Sequence, residues 1–397
     1  MKKVLFLIHT LGGGGAEKVL VNLANGMDKT KFDVTVMTVI NTGIFRESLN
    51  SDVKYKYIFN IPSRKKKKSE RNNENKSGSL LSKPSKIISN MGKIYSLIWK
   101  YMPTKLFYKL AIREKYDVEI AFLEGICAKI ISGSNNKESK KLAWIHVDLL
   151  NQKKSEFVFK GKDNEKSCYE KFDEIVCVSN VVKEQFINKF DFDEDKVKVK
   201  YNPIDTLEVN TKAREIVEDI EKPNKFTFCS VGRLITQKGY DRLLRVHKKI
   251  IDEGIDYELW IIGEGNKKND LEKFIEENKL QDSVKLLGFK HNPYKYLNLA
   301  DAFVCSSRAE GFSTVASEAT ILGKPIVTVN CSGMNELLGY ENEYGIVTEN
   351  TEEDLLNGMK RLILDKNLHE MYKEKAIERK SMFNLEKLVD DIQEICI

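Results

Sequence analysis

A short apolar segment, followed at once by glycines and then by a helical pattern, opens the chain. Val4–Ile8 is uninterrupted apolar sequence, Gly12–Gly15 follow it, and apolar residues then recur at helical spacing through Ala16–Met27. A continuous apolar run of this length is typical of a strand buried on both faces of a parallel sheet. The chain therefore begins as the first β–α unit of an α/β fold.

The same alternation continues along the chain and starts a second cycle near residue 225. Repeated strand–helix alternation implies right-handed crossovers and a doubly wound parallel sheet, so two cycles predict two domains. We place them at residues 1–205 and 206–382, and expect the helix in 383–397 to pack back on the first domain. The predicted strands are Val4–Ile8, Phe32–Val39, Val118–Phe122, Leu142–Ile145, Glu174–Val178 and Val197–Val199, then Phe226–Val231, Tyr257–Ile262, Val284–Leu287, Ala302–Cys305, Ile326–Val329 and Gly345–Val347.

Composition narrows the class of protein. The chain has 397 residues, of which 41% are hydrophobic and 31% charged, which suits a two-domain globular protein rather than a disordered chain. Its seven cysteines are scattered and never spaced as C-x-x-C, which disfavours a disulfide framework or a zinc site. The apolar run of the first strand is too short for a signal peptide, and no stretch reaches transmembrane length. We expect a cytoplasmic protein.

Positive charge is concentrated in one segment. Residues 64–115 hold fifteen Lys or Arg and three acids, a net charge of +12, although the whole chain carries +6. Residues 60–85 have the composition of a long polar loop, and residues 86–115 have apolar, aromatic-rich helical sequence that Pro103 splits. Each cation near an anionic membrane contributes about 1 kcal/mol. We therefore expect residues 64–115 to bind an anionic membrane surface. The alternative is a solvated basic loop with ordinary core helices. No nucleic-acid-binding module is recognised.

Candidate ligand-binding residues follow strand ends, where open parallel sheets bind their ligands. Glycines allow the backbone to approach a ligand closely, and a helix that starts beyond them offers free N–H groups to an anion. Two cations held just past a strand end suit a diphosphate, since arginine donates through a planar fork and lysine acts as a point charge. The candidates of this kind are Gly13, Gly14, Gly15, Gly232, Arg233, Lys238 and Gly263.

A second group of candidates follows the predicted strand Ala302–Cys305. Ser313 or Thr314 is expected to start a helix whose free N–H groups face a phosphate or a sugar hydroxyl. The carboxylates of Glu310 and Glu318 can accept hydrogen bonds from adjacent hydroxyls of a sugar or ribose. The candidates here, with the strand-end histidine that could hydrogen-bond a reacting group, are Glu310, Gly311, Phe312, Ser313, Thr314, Glu318 and His146.

A dinucleotide-binding dehydrogenase and a metal site are both disfavoured. The first glycine loop lacks the G-x-G-x-x-G pattern and the ribose-binding acid of a dinucleotide site, which argues against a dehydrogenase. Asp191 and Asp193 have the spacing of a metal-binding pair, but they lie in a charged segment without further ligands. We interpret that segment as a solvated loop and expect no metal site.

In this order and spacing, the motifs resemble the family-4 retaining glycosyltransferases of the GT-B fold, a bacterial group that builds surface polysaccharides and lipid-linked glycans. The resemblance covers nearly the whole chain. Pro203 departs from it, because the family commonly has glycine there, and this affects only the expected shape of the interdomain connection. The matching motifs are Gly12–Gly15, His146, Val178–Asn180, Asn202–Asp205, Gly232–Arg233, Lys238–Gly239, Gly263–Gly265, Leu287–Phe289, Glu310–Glu318 and Gly323–Val327.

This resemblance implies an α/β GT-B fold, with two Rossmann-like doubly wound parallel-sheet domains facing a cleft. It also implies retaining transfer from a nucleotide sugar, which we expect to be a UDP-sugar, to a glycan acceptor that is lipid-linked. Glu310 and His146 would contact the donor sugar, and Glu318 the ribose. Arg233 and Lys238 would neutralise the diphosphate, so that no metal or other cofactor is needed. The backbones of Gly13–Gly15 and Phe312–Thr314 would complete the phosphate cradle.

Other functions on the same scaffold stay open at this point. A sugar-nucleotide epimerase would release an altered sugar nucleotide without any acceptor. An inactive nucleotide-sugar-binding subunit would keep the fold but lose site residues, whereas Arg233, Lys238, Glu310 and Glu318 are all present. A phosphorylase would need a lysine that binds pyridoxal phosphate and usually a much longer chain.

Overall fold

The computed structural model describes residues 1–60, 96–150, 152, 155–221 and 224–397. The chain divides into two compact units. The first consists of Met1–Glu17, Asp28–Trp144 and Lys153–Ile175, and the second of Lys18–Met27, Ile145–Gln152 and Val176–Ile397. Most of the predicted loop at 60–85, and the part of the basic segment up to residue 95, lie outside the described residues.

Seven strands form the first sheet. In chain order they are β1 (Lys2–Ile8), β2 (Phe32–Ile40), β3 (Lys54–Phe59), β4 (Val118–Ala121), β5 (Lys140–Ile145), β6 (Glu174–Cys177) and β7 (Val197–Val199). Their order across the sheet is β3-β2-β1-β4-β5-β6-β7, and β1 pairs in parallel with both β2 and β4. The apolar side chains of Val4–Ile8 are fully buried, so the opening apolar run is the buried strand that its sequence predicts.

Six strands form the second sheet. They are β8 (Thr227–Val231), β9 (Glu258–Ile262), β10 (Val284–Gly288), β11 (Ala302–Cys305), β12 (Ile326–Val329) and β13 (Ile346–Thr348). The order is β10-β9-β8-β11-β12-β13, and every neighbouring pair is parallel. In both sheets the first strand of the cycle lies beside the fourth, which is the doubly wound order with its reversal point. The predicted α/β fold with two doubly wound parallel sheets is confirmed.

Helices connect the strands of both sheets. The α-helices are α1 (Gly15–Gly26), α2 (Thr104–Ala111), α3 (Ile126–Ile131), α4 (Lys162–Tyr169), α5 (Asn180–Phe190), α6 (Thr206–Ala213), α7 (Tyr240–Asp252), α8 (Lys268–Glu277), α9 (Tyr294–Leu299), α10 (Thr314–Ile321), α11 (Met334–Leu338), α12 (Glu352–Leu364), α13 (Lys366–Arg379) and α14 (Leu385–Glu394). Residues 96–101 are also helical, and the break at Pro103 before α2 is the one predicted. Short 3₁₀ helices span Ile44–Ser48, Glu194–Lys196, Thr236–Lys238 and Lys380–Phe383.

Strand β3 is absent from the strands predicted from sequence. Its six residues, KYKYIF, mix lysines with aromatics and lie at the edge of the first sheet, paired with β2. Tyr57 and Phe59 stay largely exposed. An edge strand needs no continuous apolar run, so the pattern that identifies buried strands misses it. None of the described helices is both long enough and apolar enough to span a bilayer.

Candidate functional site

A lysine and a glutamate meet where the strand order of the second sheet reverses. Strands β8 and β11 are neighbours there, and the loops beyond their carboxyl ends hold Lys238 and Glu310. Lys238 Nζ lies 2.6 Å from Glu310 Oε1, although the two residues are 72 positions apart. Burial alone would lower the pKa of Lys238, but the Glu310 carboxylate outweighs that effect and the pKa is raised. The ammonium group is therefore held charged beside its partner.

Glu310 is fixed by a second donor. Ser307 Oγ donates to the same oxygen, Oε1, at 2.5 Å, and Ser307 is almost fully buried. Among the described residues no hydrogen bond reaches Glu310 Oε2, which leaves that oxygen available to a ligand hydroxyl. The sequence gives no signal for Ser307, because its role depends on how the loop folds back on Glu310.

Arg233 supplies a second positive charge in the same loop. It follows Gly232 directly after β8 and is exposed to solvent. Its positive charge acts to lower the pKa of Lys238, so the two cations lie near enough to interact. An exposed guanidinium and a half-buried ammonium offer both a planar fork and a point charge to a bound anion.

Two glycines allow the strand-end loops to pack backbone against backbone. A Cβ on Gly263, whose φ is 149°, would lie 1.9 Å from the carbonyl oxygen of Gly232. A Cβ on Gly239, whose φ is 69°, would lie 2.0 Å from that of Ser306. No side chain fits either space, so glycine is required for close approach as well as for its backbone conformation. The loops after β8, β9 and β11 thus form one continuous surface.

His146 and Gly311 are brought into contact within the second unit. A Cβ on Gly311 would lie 1.9 Å from the carbonyl oxygen of His146. Ser179 Oγ donates to the carbonyl oxygen of Gly311 at 3.3 Å, and Asn202 Nδ2 donates to that of Phe312 at 3.4 Å. The strand-end histidine therefore lies next to the segment that contains Glu310.

Substitution of Gly311 by alanine is expected to destabilise the protein by roughly 1–3 kcal/mol, because the new methyl group overlaps the His146 carbonyl and the backbone must move. Gly161→Ala is the matched control, since nothing lies within 4 Å of its added Cβ. Urea unfolding followed by circular dichroism measures both variants. Equal stability of the two would show that the contact is absent in solution.

Glu318 lies on α10 and is buried. Ser313 caps this helix by accepting a hydrogen bond from the Ala316 N–H at 3.3 Å, as its sequence predicts. Tyr294 Oη donates to Glu318 Oε1 at 2.8 Å. Burial raises the pKa of Glu318 to about 7, against the lowering effects of Tyr294 and of the Lys18 charge. A ligand that hydrogen-bonds the ionised carboxylate of Glu318 would therefore lower this pKa.

The predicted glycine loop lies in the first unit. Helix α1 begins at Gly15, and the carboxylate of Glu17 folds back over the loop, 2.3 Å from where a Cβ on Gly14 would be. Gly13 and Gly15 are exposed. Anion binding by Gly13–Gly15 stays a prediction.

The aspartate pair at 191 and 193 has local backbone roles. Asp191 ends α5 in the left-handed conformation, with φ of 47°, and Asp193 accepts a hydrogen bond from the Asp195 N–H at 3.1 Å. Over the part of the chain that the structure describes, no three His, Cys, Asp or Glu side chains are grouped as metal ligands.

Comparison with protein families and solved structures gives consistent results. Residues 212–379 match the family described as glycosyl transferases group 1. Anabaena HepE, in a crystal structure with UDP and glucose, superposes with a TM-score of 0.74 over 99% of each chain at 18% identity, which shows the shared GT-B fold.

Two curated relatives extend the comparison. An N-acetylgalactosamine-N,N'-diacetylbacillosaminyl-diphospho-undecaprenol 4-alpha-N-acetylgalactosaminyltransferase of Campylobacter jejuni is 35% identical over 225 residues, which are 56% of this chain and 60% of the relative. An uncharacterized glycosyltransferase of Methanocaldococcus jannaschii is 27% identical over 345 residues, or 78% of this chain and 82% of the relative. The chain thus spans about 60% of the first relative and most of the second. Together with the two parallel sheets, these matches show a glycosyltransferase of the GT-B fold, in which residues 212–379 are similar to the group 1 glycosyl transferases.

Proposed function

We propose that this protein is a retaining, family-4 glycosyltransferase that moves a sugar from a UDP-sugar to a hydroxyl group of a lipid-linked glycan in surface polysaccharide biosynthesis. The observation that carries the proposal is the Lys238–Glu310 pair, next to the exposed Arg233, beyond strands β8 and β11. The UDP and glucose held by HepE support the donor class. The undecaprenol-linked substrate in the name of the Campylobacter jejuni relative supports the acceptor class.

Each side chain of the site has a separate role in the proposed transfer. Lys238 and Arg233 neutralise the diphosphate as the bond between the anomeric carbon and its phosphate oxygen breaks. Glu310 Oε2 accepts a hydrogen bond from a hydroxyl of the donor sugar, and His146 contacts the same sugar. The acceptor oxygen attacks from the face that the phosphate leaves, and the phosphate oxygen takes the acceptor's proton. The new glycosidic bond then keeps the anomeric configuration of the donor.

A screen of nucleotide sugars tests this proposal. Purified protein is heated with UDP-, GDP- and ADP-sugars, and release of nucleotide is measured in parallel. We expect UDP-sugars to raise the melting temperature and to be hydrolysed slowly, and Arg233→Met to weaken both effects. If no nucleotide sugar stabilises the protein or is hydrolysed, the proposal is wrong. Proton NMR of the transfer product reports the anomeric configuration, and an inverted product would contradict retention.

Transfer is expected to need no metal ion, because Lys238 and Arg233 supply the positive charge that a divalent cation would otherwise give to the diphosphate. Addition of EDTA should leave the initial rate of transfer unchanged. A loss of more than about tenfold that Mg²⁺ or Mn²⁺ restores would contradict this assignment.

Donor affinity is expected to rise between about pH 5 and pH 7. The pKa of Glu318 in the unliganded protein is about 7, above its ordinary value of 4.5, so below pH 7 the carboxyl group is mostly protonated. Ribose hydroxyls donate to the ionised form, so donor binding lowers this pKa and releases a proton. Affinity then increases by up to about tenfold per pH unit and levels off above pH 7.

Calorimetry with an intact UDP-sugar measures this profile, because both phosphates of that ligand are esterified and do not titrate in this range. Glu318→Gln should bind with an affinity that is nearly independent of pH. A profile shared by wild type and Glu318→Gln would show that another group is responsible. The free energy of unfolding should depend on pH in the opposite direction. The raised pKa of Glu318 stabilises the folded protein below pH 4.5, and that stabilisation is lost as pH rises through 7.

We further propose that the protein works in the cytoplasm at the inner surface of the membrane, through the basic segment 64–115. In the described part of that segment, large apolar side chains are exposed, and Lys105 and Lys109 are exposed beside two of them on α2. This mixture of cations and exposed apolar side chains suits an interfacial helix on anionic lipid. The exposed apolar residues are Leu97, Ile98, Tyr101, Leu106 and Leu110.

Liposome flotation tests membrane binding. Wild type should float with vesicles that contain phosphatidylglycerol and not with neutral ones. Leu106→Gln combined with Leu110→Gln should reduce flotation, whereas Leu207→Gln, at a still more exposed leucine of the second unit, should not. Equal flotation of both variants would contradict membrane docking by this segment.

A further inference from the structure

A buried arginine hydrogen-bonds the loop that leads from β11 to Glu310. Arg242, on α7, is 6% exposed and donates from three nitrogens to three neutral oxygens. Nε bonds the carbonyl oxygen of Ser306 at 2.7 Å, Nη2 that of Ser307 at 2.8 Å, and Nη1 bonds Asn350 Oδ1 at 2.6 Å. Among the described residues no carboxylate hydrogen-bonds this guanidinium, and burial lowers its pKa. A buried cation of this kind is rare, because its desolvation is compensated only by the hydrogen bonds that it makes.

The two carbonyl groups that accept hydrogen bonds from Arg242 belong to Ser306 and Ser307. The side chains of these serines hydrogen-bond the Lys238–Glu310 pair. Ser306 Oγ donates to the carbonyl oxygen of Lys238 at 3.0 Å. Ser307 Oγ donates to Glu310 Oε1 at 2.5 Å. The guanidinium of Arg242 therefore holds the backbone of both serines, and these serines in turn hydrogen-bond Lys238 and Glu310.

The fit around this guanidinium is tight. A Cβ on Gly239, the residue after Lys238, would lie 2.0 Å from the carbonyl oxygen of Ser306 and 3.0 Å from Arg242 Nε. The loop can therefore approach the guanidinium only because residue 239 has no side chain. The segment after β8 and the segment after β11 both approach Nε of Arg242.

We propose that Arg242 is a positioning residue for the transfer reaction, acting on Lys238 through Ser306 and on Glu310 through Ser307. It is too deeply buried to contact substrate itself. The kinetic part of this inference rests on the proposed transferase function, and its structural part does not. A planar fork is needed, because two adjacent carbonyl oxygens and an amide oxygen are bonded at once.

Steady-state kinetics with a UDP-sugar donor separate positioning from simple structural support. A displacement of the pair by about 1 Å corresponds to a loss of about 100-fold in rate. We expect Arg242→Met to lower kcat by about that factor, with the donor KM within about threefold of wild type, because Lys238 keeps its charge and the proposed ribose contact at Glu318 is unchanged. Arg242→Lys should recover part of the loss, since it restores the charge but not the fork.

Arg245→Met is the matched control. Arg245 lies one turn further along α7, is exposed, and pairs with Asp241 and Glu352. Its kcat should stay within about twofold of wild type, as expected for an exposed ion pair. A kcat of Arg242→Met equal to that of wild type, or a loss fully explained by the fraction of unfolded protein, would overturn the proposal.

A double-mutant cycle tests the same inference without activity. Urea unfolding is measured for wild type, Arg242→Met, Glu310→Gln and the double variant. Coupling should change the unfolding equilibrium constant by at least about threefold relative to additivity. Additive effects would show that Arg242 does not act on Glu310. If wild type transfers no sugar from any donor, the proposed function fails, while the cycle still decides the role of Arg242.

Discussion

Replacement of Glu310 by glutamine is expected to lower kcat for sugar transfer by about a hundred- to a thousandfold, the range seen when one preorganised transition-state contact is removed. The substitution keeps the size of the side chain but removes its negative charge. Lys238 and Ser307 both bond Oε1, so the amide must satisfy two donors with its one oxygen and present an NH₂ group to the donor sugar. Steady-state kinetics with a UDP-sugar measure the loss, and calorimetry with UDP shows whether nucleotide affinity is kept.

Glu353→Gln provides the control for charge removal, because Glu353 is an exposed residue in the first turn of α12. Its kcat should match that of wild type. Full activity of Glu310→Gln would refute the role assigned to Glu310, and an equal loss in both variants would point to a general effect of net charge.

Replacement of Lys238 by methionine is expected to lower kcat by a similar factor, about a hundred- to a thousandfold, and in addition to weaken UDP binding. The ammonium group contributes to binding of the diphosphate in the ground state, so affinity for UDP should fall by about tenfold or more, which is about 1.4 kcal/mol. Protein stability should also decrease, because the poorly exposed Glu310 carboxylate loses its ion-pair partner. Calorimetry, steady-state kinetics and urea unfolding of the same preparation measure the three effects.

Lys267→Met is the matched control, since Lys267 is a partly exposed lysine whose ion pair is with Asp270. It should bind UDP as wild type does. The double variant with Glu310→Gln should lose less activity than the product of the two single losses, because the two side chains act as a pair. A shared role would be contradicted if the activity lost in the double variant equalled the product of the two single losses, or if Lys238→Met bound UDP as tightly as wild type.

The sequence predicts most of the fold because buried strands and strand-end glycines leave strong local signals. Val4–Ile8 and Ala302–Cys305 are apolar throughout, and both are buried strands of parallel sheets. The order of the motifs then places Lys238 and Glu310 beyond the ends of two predicted strands. Their contact at 2.6 Å follows from the strand order of the second sheet, which alternation alone does not give.

The residues that sequence reasoning misses are those whose role depends on tertiary contacts. Tyr294 bonds Glu318 from another helix, and nothing in its own segment indicates this. Arg242 has the sequence context of a solvated helix position, yet it is buried because two carbonyl groups face it. Strand β3 is missed for a different reason, since an edge strand exposes alternate residues and lacks a buried run. Local pattern predicts the elements, whereas the partners of a side chain are set by packing.

All seven cysteines have buried thiol groups, and this gives the protein a set of built-in reporters of local opening. A thiol reagent in water reacts only when a segment opens, so the labelling rate measures the free energy of that opening. Cys127 and Cys168 report on the first unit, and Cys229 and Cys305 on the second. Mass spectrometry resolves each site, which would separate the unfolding of one unit from that of the other without any introduced probe. Conversely, a cysteine engineered at an exposed position would be the fastest to label, so a single dye could be attached to the native protein.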